Sequence, residues 1–227
     1  MSPARVASID DSALAALYAA LAKLDLQRGQ PEDAQAILAQ GLQKVGEETD
    51  LVIAMGDYLA TKGADQADQW YHAVLTRQPH NANLYMALGN LDLRNSKTAD
   101  GLAAYRQAIA LEPTNAGYYV ELGAALEVAK NVEDALAAYR QALTLEPTLV
   151  DAYANLAALY QKQQKWDEAE ATFQRGLAVA PTDGALHVQY AAFLLKRDQK
   201  DQALAVLDEV GKIAPTRAML VARAAVY

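Results

Sequence analysis

The chain has 227 residues, no cysteine, and 28 acidic against 20 basic side chains, for a net charge of −8 and a pI near 4.9. The lack of cysteine excludes disulfide scaffolds, thiolate zinc sites and cysteine nucleophiles, and the acidic balance excludes a sequence-independent nucleic-acid binder, which needs a basic footprint. Ala, Leu and Gln dominate while aromatic residues make up 7%, a composition that favours helix over strand.

Residues 1–14 are a lead-in. Its first ten, MSPARVASID, lack the apolar region of a signal peptide. No apolar run along the chain is long enough to span a bilayer. The chain as given therefore reads as soluble, without direct membrane insertion, and cytoplasmic by default. From residue 15 onward a repeat takes over. Pro79, Pro113, Pro147, Pro181 and Pro215 follow one another at intervals of 34 residues, the mark of a tandem structural unit. The units run 15–47, 48–81, 82–115, 116–149, 150–183 and 184–217, the first being one residue short with Gly46 in the place of proline.

Numbered from 1 to 34, each unit carries the same size pattern. Position 8 holds Ala22, Met55, Gly89, Gly123, Ala157 and Ala191, and position 20 holds Ala34, Ala67, Gly101, Ala135, Ala169 and Ala203. Small residues there let two helices of one unit approach closely. Position 24 holds Leu38, Tyr71, Tyr105, Tyr139, Phe173 and Leu207, a large side chain that fills the space between this pair and the next helix. Position 32 holds the five prolines, which end the second helix and fix the turn into the next unit. With its aromatic residues at 4 and 24, Leu-Gly at 7–8, alanine at 20 and 27 and proline at 32, most complete in the third to fifth units, the chain resembles the tetratricopeptide repeat family. The resemblance implies an all-α fold, a right-handed superhelical solenoid whose first helices line a concave groove. Met55, Asp92 at position 11, Gly101, Val74 and Val210 at position 27 and His187 at position 4 depart from the pattern and are expected to loosen packing locally.

Chemistry is not indicated. No phosphate loop, dinucleotide fingerprint, zinc-protease, nucleophile-elbow or calcium-loop pattern is present, so neither an enzyme nor a cofactor is expected. His72, His80 and His187 lie in different units or turns and share no metal site; His187 replaces an aromatic residue at a packing position, and the other two read as surface residues. The pairs Glu32-Asp33, Glu133-Asp134 and Asp167-Glu168 fall where second helices begin, where acids favour the helix N-terminus. Trp166 is expected to cover a hairpin turn, and Trp70 to be partly exposed on the outer face.

A partner would meet the face of the first helices turned away from their own partner helices, at positions 2, 5, 6, 9, 12 and 13. Asn83, Met86, Asn90 and Arg94 supply it in the third unit, Glu121 and Glu127 in the fourth, Asn155, Gln161 and Lys162 in the fifth, and Gln189 in the sixth. Amides can bond both peptide N–H and C=O groups, which suits an extended segment or helix laid along them; the competing reading is a merely solvated face. Some family members grip a C-terminal carboxylate with lysine at 5 and asparagine at 9 of one unit, asparagine at 6 of the next, and basic residues at 2 and 6 of the third. Glu121 and Asp151 stand in that path here, so a clamp of that kind is not expected.

Residues 1–81 carry eleven acids and six bases, 82–149 eight and five, and 150–227 nine of each, so a partner with a basic surface is steered toward the first two thirds. The end, 218–227, reads as the first helix of a truncated seventh unit. Its Met219, Leu220, Val221, Ala225 and Tyr227 are apolar where a terminal cap should be polar. Either the natural chain continues, or this surface associates with itself, most simply in a two-fold dimer. The sequence thus points to a protein-interaction scaffold or adaptor, bacterial in style, with a self-assembling structural subunit as the alternative.

Overall fold

The computed structural model describes residues 10–213 and, past them, Val221 and Ala224. Twelve α-helices and no strand are found among the described residues: α1 (Asp11–Gln27), α2 (Pro31–Val45), α3 (Thr49–Lys62), α4 (Ala64–Arg77), α5 (Ala82–Arg94), α6 (Thr98–Leu111), α7 (Ala116–Val128), α8 (Val132–Leu145), α9 (Val150–Lys162), α10 (Trp166–Val179), α11 (Gly184–Lys196) and α12 (Lys200–Ile213). They pair as six antiparallel hairpins, each odd-numbered helix packing most extensively on the even one that follows it. The fold is all-α, as expected. The chain divides into two compact units, Met1–Pro113 with α1–α6 and Thr114–Tyr227 with α7–α12.

The hairpins start and stop where the residues dictate. Asp10, Asn81 and Asp183 accept the N–H groups of Ala13, Leu84 and Leu186 and so cap α1, α5 and α11. Glu32, Asp33, Glu133, Asp134, Asp167 and Glu168 occupy the first turns of α2, α8 and α10, beside the positive end of each helix dipole. The second helices end two residues before proline. Gln78, Glu112, Glu146 and Ala180 precede Pro79, Pro113, Pro147 and Pro181, and all four leave the helix at φ between −123° and −134° with ψ between 60° and 91°. The proline ring excludes the helical region for the residue before it, which is why the repeat closes at the same place each time.

Within five of the hairpins the turn is a left-handed cap. Gly29, Ser96, Lys130, Gln164 and Asp198 have φ of 60–74°, and the N–H of the residue after each reaches back to Asp25, Asp92, Leu126, Tyr160 and Leu194 respectively at 2.8–3.0 Å. This six-to-one closure is the Schellman motif. Only the first hairpin uses glycine; the others hold side chains in a conformation that costs L-residues about 1–2 kcal/mol. Part of that is offset by the freedom glycine would gain in the unfolded chain. Gln164→Gly is therefore expected to stabilise the second unit by about 0.5–1 kcal/mol, seen as a higher urea midpoint with an unchanged slope.

Between the helices of a hairpin, glycine and tyrosine are matched. A Cβ on Gly56, Gly89 or Gly123 would fall 2.3, 2.7 or 2.5 Å from the ring of Tyr71, Tyr105 or Tyr139, respectively, and each ring is essentially fully buried. Where position 24 is instead Leu38, Phe173 or Leu207, the facing residue is Ala22, Ala157 or Ala191. The small residue in the second hairpin is thus Gly56 and not Met55, because the missing residue falls within this hairpin: Gly63 alone links α3 to α4, where three residues join the helices of the others. Gly101 does not loosen its hairpin either. A Cβ there would stand 3.0 Å from the Gly89 carbonyl and 3.1 Å from Leu93, so the pair of glycines brings α5 and α6 into close contact. Val74 is fully buried among Tyr71, Leu84 and Leu88, while the side chain of Val210 lies outside the described residues.

The remaining outliers have structural partners. His187 is buried, with its Nδ1 2.7 Å from the Asp183 carbonyl, and His72 and His80 are exposed. Trp70 is half-buried, its indole N–H donating to the Val52 carbonyl at 2.9 Å. Trp166 sets its ring 6.3 Å from that of Phe193 in the next hairpin.

Candidate functional site

In each unit the odd-numbered helices lie side by side. The first unit stacks α1 on α3 and α3 on α5, and the second stacks α7 on α9 and α9 on α11. Their shared face is the one the sequence marked for a partner.

In the first unit two clefts open along it. One, of about 250 Å³, is floored by Ala16, Ala19, Ala20, Ile53 and Ala54 and edged by Lys23, Asp50 and Asp57. The other, of about 370 Å³, lies between α3 and α5 and is lined by Ile53, Asp57, Tyr71, Ala87, Asn90, Leu93 and Arg94. Asn90 and Arg94 both line this second cleft. Asn90 accepts the Tyr105 hydroxyl at 2.5 Å, and Arg94 pairs with Asp57 at 3.5 Å with both side chains more than half exposed, a pair worth little in water. Burial, reinforced by Asp57, pushes the Tyr71 hydroxyl far above its ordinary range, so it acts only as a neutral donor, here to the Ile53 carbonyl at 3.3 Å. Asn83 is exposed. Met86 was expected on the open floor, but it is buried at 8% exposure. Position 5 faces the core here, as it does at Val120.

In the second unit Glu127 is tied down. It accepts the Tyr139 hydroxyl at 2.7 Å and the Lys162 ammonium at 2.6 Å. Burial, and then this hydrogen bond, hold the Tyr139 hydroxyl protonated at any physiological pH. Beside them a cleft of about 350 Å³ runs between α7 and α9, lined by Glu127, Val128, Lys130, Val132, Leu159, Lys162 and Gln163. Val128 is 64% exposed. The Gln163 amide oxygen at the rim is buried and has no hydrogen-bond partner. Asn155 and Gln161 are half-buried, whereas Glu121 and Gln189 are exposed.

Three members of these faces were not anticipated: Asp57, hidden by the one-residue shift in the second hairpin; Gln163, which sits in the turn after the first helix; and α1. The signal for α1 was available, since Ala16, Ala19, Ala20 and Lys23 recur at helical spacing on the side of α1 that lines its cleft. Of the expected self-association residues, Val221 is helical and 63% exposed; Met219, Leu220, Ala225 and Tyr227 lie outside the described residues. Among the described residues no helix is long and apolar enough to cross a membrane.

Hairpins of this size pattern, stacked on one another within each unit, define a helical repeat protein. Two models of the tetratricopeptide repeat match residues 86–149 and 129–187, and the chain is a tetratricopeptide-repeat protein. No curated protein matches it in sequence. Among solved structures, pilF of Pseudomonas aeruginosa is 17% identical with a TM-score of 0.64, covering 95% of this chain and 99% of that one. A thermophilic TPR protein from Thermus thermophilus is 21% identical at a TM-score of 0.58, covering 77% and 96%. YrrB, described as a TPR protein with an unusual peptide-binding site, is 17% identical at 0.53, covering 82% and 97%. The likeness to these structures is one of fold.

Proposed function

We propose that the chain is a scaffold or adaptor that binds segments of other proteins along the faces of its odd-numbered helices. Tetratricopeptide repeats commonly mediate protein–protein interaction, and YrrB is a fold relative described by a peptide-binding site. The observation that carries the reading for this chain is the α7–α9 cleft. Its wall sets the 64%-exposed Val128 beside the Glu127–Lys162 ion pair and the Gln163 amide. A peptide laid there meets apolar contact together with groups that bond backbone N–H and C=O, and the Asn155 and Gln161 amides of α9 offer both donor and acceptor. The surplus of acids in residues 1–149 favours segments with basic character.

The test begins with peptides selected on the whole protein from a random display library. Asn155→Ala combined with Gln163→Ala is expected to weaken the selected peptides about tenfold, as two neutral hydrogen bonds are worth, with helicity unchanged. Full binding by that variant, with loss caused instead by Gln141→Ala on exposed α8, would move the site to the outer helices.

Homo-oligomerisation is the second reading, favoured by the exposed Leu17, Leu21, Leu24 and Val221. Under it, sedimentation equilibrium at micromolar concentration shows a dimer that Leu21→Glu or Val221→Glu dissociates. A wild-type monomer at those concentrations removes this reading.

A further inference from the structure

A third cleft of the first unit, of about 440 Å³, opens on a different side of α5. Asp92 lies two residues beyond Asn90, about 200° around the helix, so it points away from the face described above. At the same position the fourth, fifth and sixth hairpins place Leu126, Tyr160 and Leu194, all buried. Asp92 occupies that slot at 4% exposure, and no side-chain hydrogen bond or ion pair reaches its carboxylate among the described residues.

Its surroundings are those of a receptor for a cation. Asp68 and His72 from α4, Asp100 from α6, and Tyr85 of α5 itself line the same cleft. Lys97 is the one ammonium there, and it pairs with Asp68 at 3.4 Å rather than with Asp92. Burial, with Asp68 and Asp100 adding to it and Lys97 and His72 opposing, raises the Asp92 carboxyl above its usual range. Desolvation outweighs the nearby Lys97 ammonium, whose hydrogen bond goes to Asp68, and leaves the Asp92 carboxylate with no cation bonded to it directly. No three of these groups are placed to hold a metal ion, so an extended organic cation fits better than a chelated one. Leu88, Ala103 and Ala104 give apolar wall for an aliphatic stem, and the Tyr85 ring offers a face to a planar cation.

From this arrangement we infer that the α4–α6 cleft receives an arginine side chain of a partner protein, with the guanidinium seated on Asp92. A carboxylate takes a guanidinium through two parallel N–H bonds, which an ammonium cannot reproduce. The site is independent of the odd-helix faces and stands or falls separately from them.

The test is an amide-NMR titration of the whole protein with capped Gly-Arg-Gly, and with the same peptide carrying citrulline or lysine. The arginine peptide is expected to shift the amides of Asp92, Lys97 and Gln107 saturably, citrulline at least tenfold more weakly and lysine several-fold more weakly. Asp92→Asn should reduce arginine affinity at least tenfold. Lys97→Met, which removes the competing ammonium, should increase it several-fold, a gain that no merely structural role for Lys97 produces. If Asp92→Asn does not fold, Asp100→Asn is expected to weaken binding two- to threefold. Equal titration by arginine and citrulline peptides, or unchanged affinity in the Asp92 or Asp100 variant, overturns the inference.

Discussion

Gly123→Leu is expected to unfold the α7–α8 hairpin, and with it the cooperative core of the second unit. A first side-chain carbon at this position falls 2.5, 2.8 and 2.9 Å from three ring carbons of Tyr139, closer than non-bonded carbons approach. The ring cannot swing away. It has no measurable exposure and its hydroxyl is held by Glu127, which Lys162 also grips. Overpacking a tight core costs about 1–3 kcal/mol and sometimes more, and leucine brings three further carbons into the same space. In a stacked array each hairpin is stabilised mainly by its neighbours, so the loss spreads to α9. Circular dichroism should show a lower thermal midpoint and reduced helicity. Gly123→Ala combined with Tyr139→Leu, which copies the Ala22–Leu38 and Ala191–Leu207 pairs of this chain, should recover much of the loss. A midpoint equal to wild type in Gly123→Leu would mean that the two helices are not packed through this contact.

Asp92→Leu is expected to act in the opposite direction, raising the stability of the first unit. The substitution removes a buried carboxylate with no hydrogen-bonded partner and supplies the residue that the fourth and sixth hairpins use at the same place, Leu126 and Leu194. Replacing a largely desolvated carboxylate, which meets only the cleft, by an apolar side chain that fills the slot is worth about 1 kcal/mol. The pH dependence carries the sign. The folded-state carboxyl titrates above the ordinary aspartate value of 3.8, so folding favours the protonated acid. Its stabilising contribution is complete below that value and is lost as the pH rises through the raised folded pKa. The advantage of the leucine variant should therefore be small in acid and grow toward neutrality. Urea denaturation of both proteins across that range tests this, and a gap that narrows toward neutral pH would contradict it. That the chain retains a destabilising side chain here fits a site kept for binding rather than for packing.

Much of the architecture was legible because the repeat restates it six times. The proline spacing marked the second-helix ends, since the pre-proline residue must leave the helix, and the acid pairs marked second-helix starts. The second hairpin was misread by one residue for a physical reason. Its missing residue was assigned to the turn before it, which Gly46 made plausible, when the Gly63 link is the shortened one. The rule that glycine faces tyrosine while alanine faces leucine or phenylalanine would have singled out Gly56 opposite Tyr71. The binding face was less legible. Register named Asn90 and Arg94, which line the α3–α5 cleft, and Glu127 and Lys162, which line the α7–α9 cleft, but it could not show that Asn90 and Glu127 are engaged by tyrosine hydroxyls from the second helices. Nor could it show that Met86 turns inward. Asp92 read as a flaw in packing, because a pattern of positions carries no information on whether a buried charge has a partner.

Partner segments are expected to lie along the odd-numbered helices, and amide-NMR mapping of a display-selected peptide on the intact protein tests this most directly. Shifts should concentrate on α7, α9 and α11, at Val128, Asn155, Gln161 and Gln163 above all, with the exposed surfaces of α8 and α10 unmoved. Shifts confined to α8 and α10, with those four amides unchanged, would contradict it.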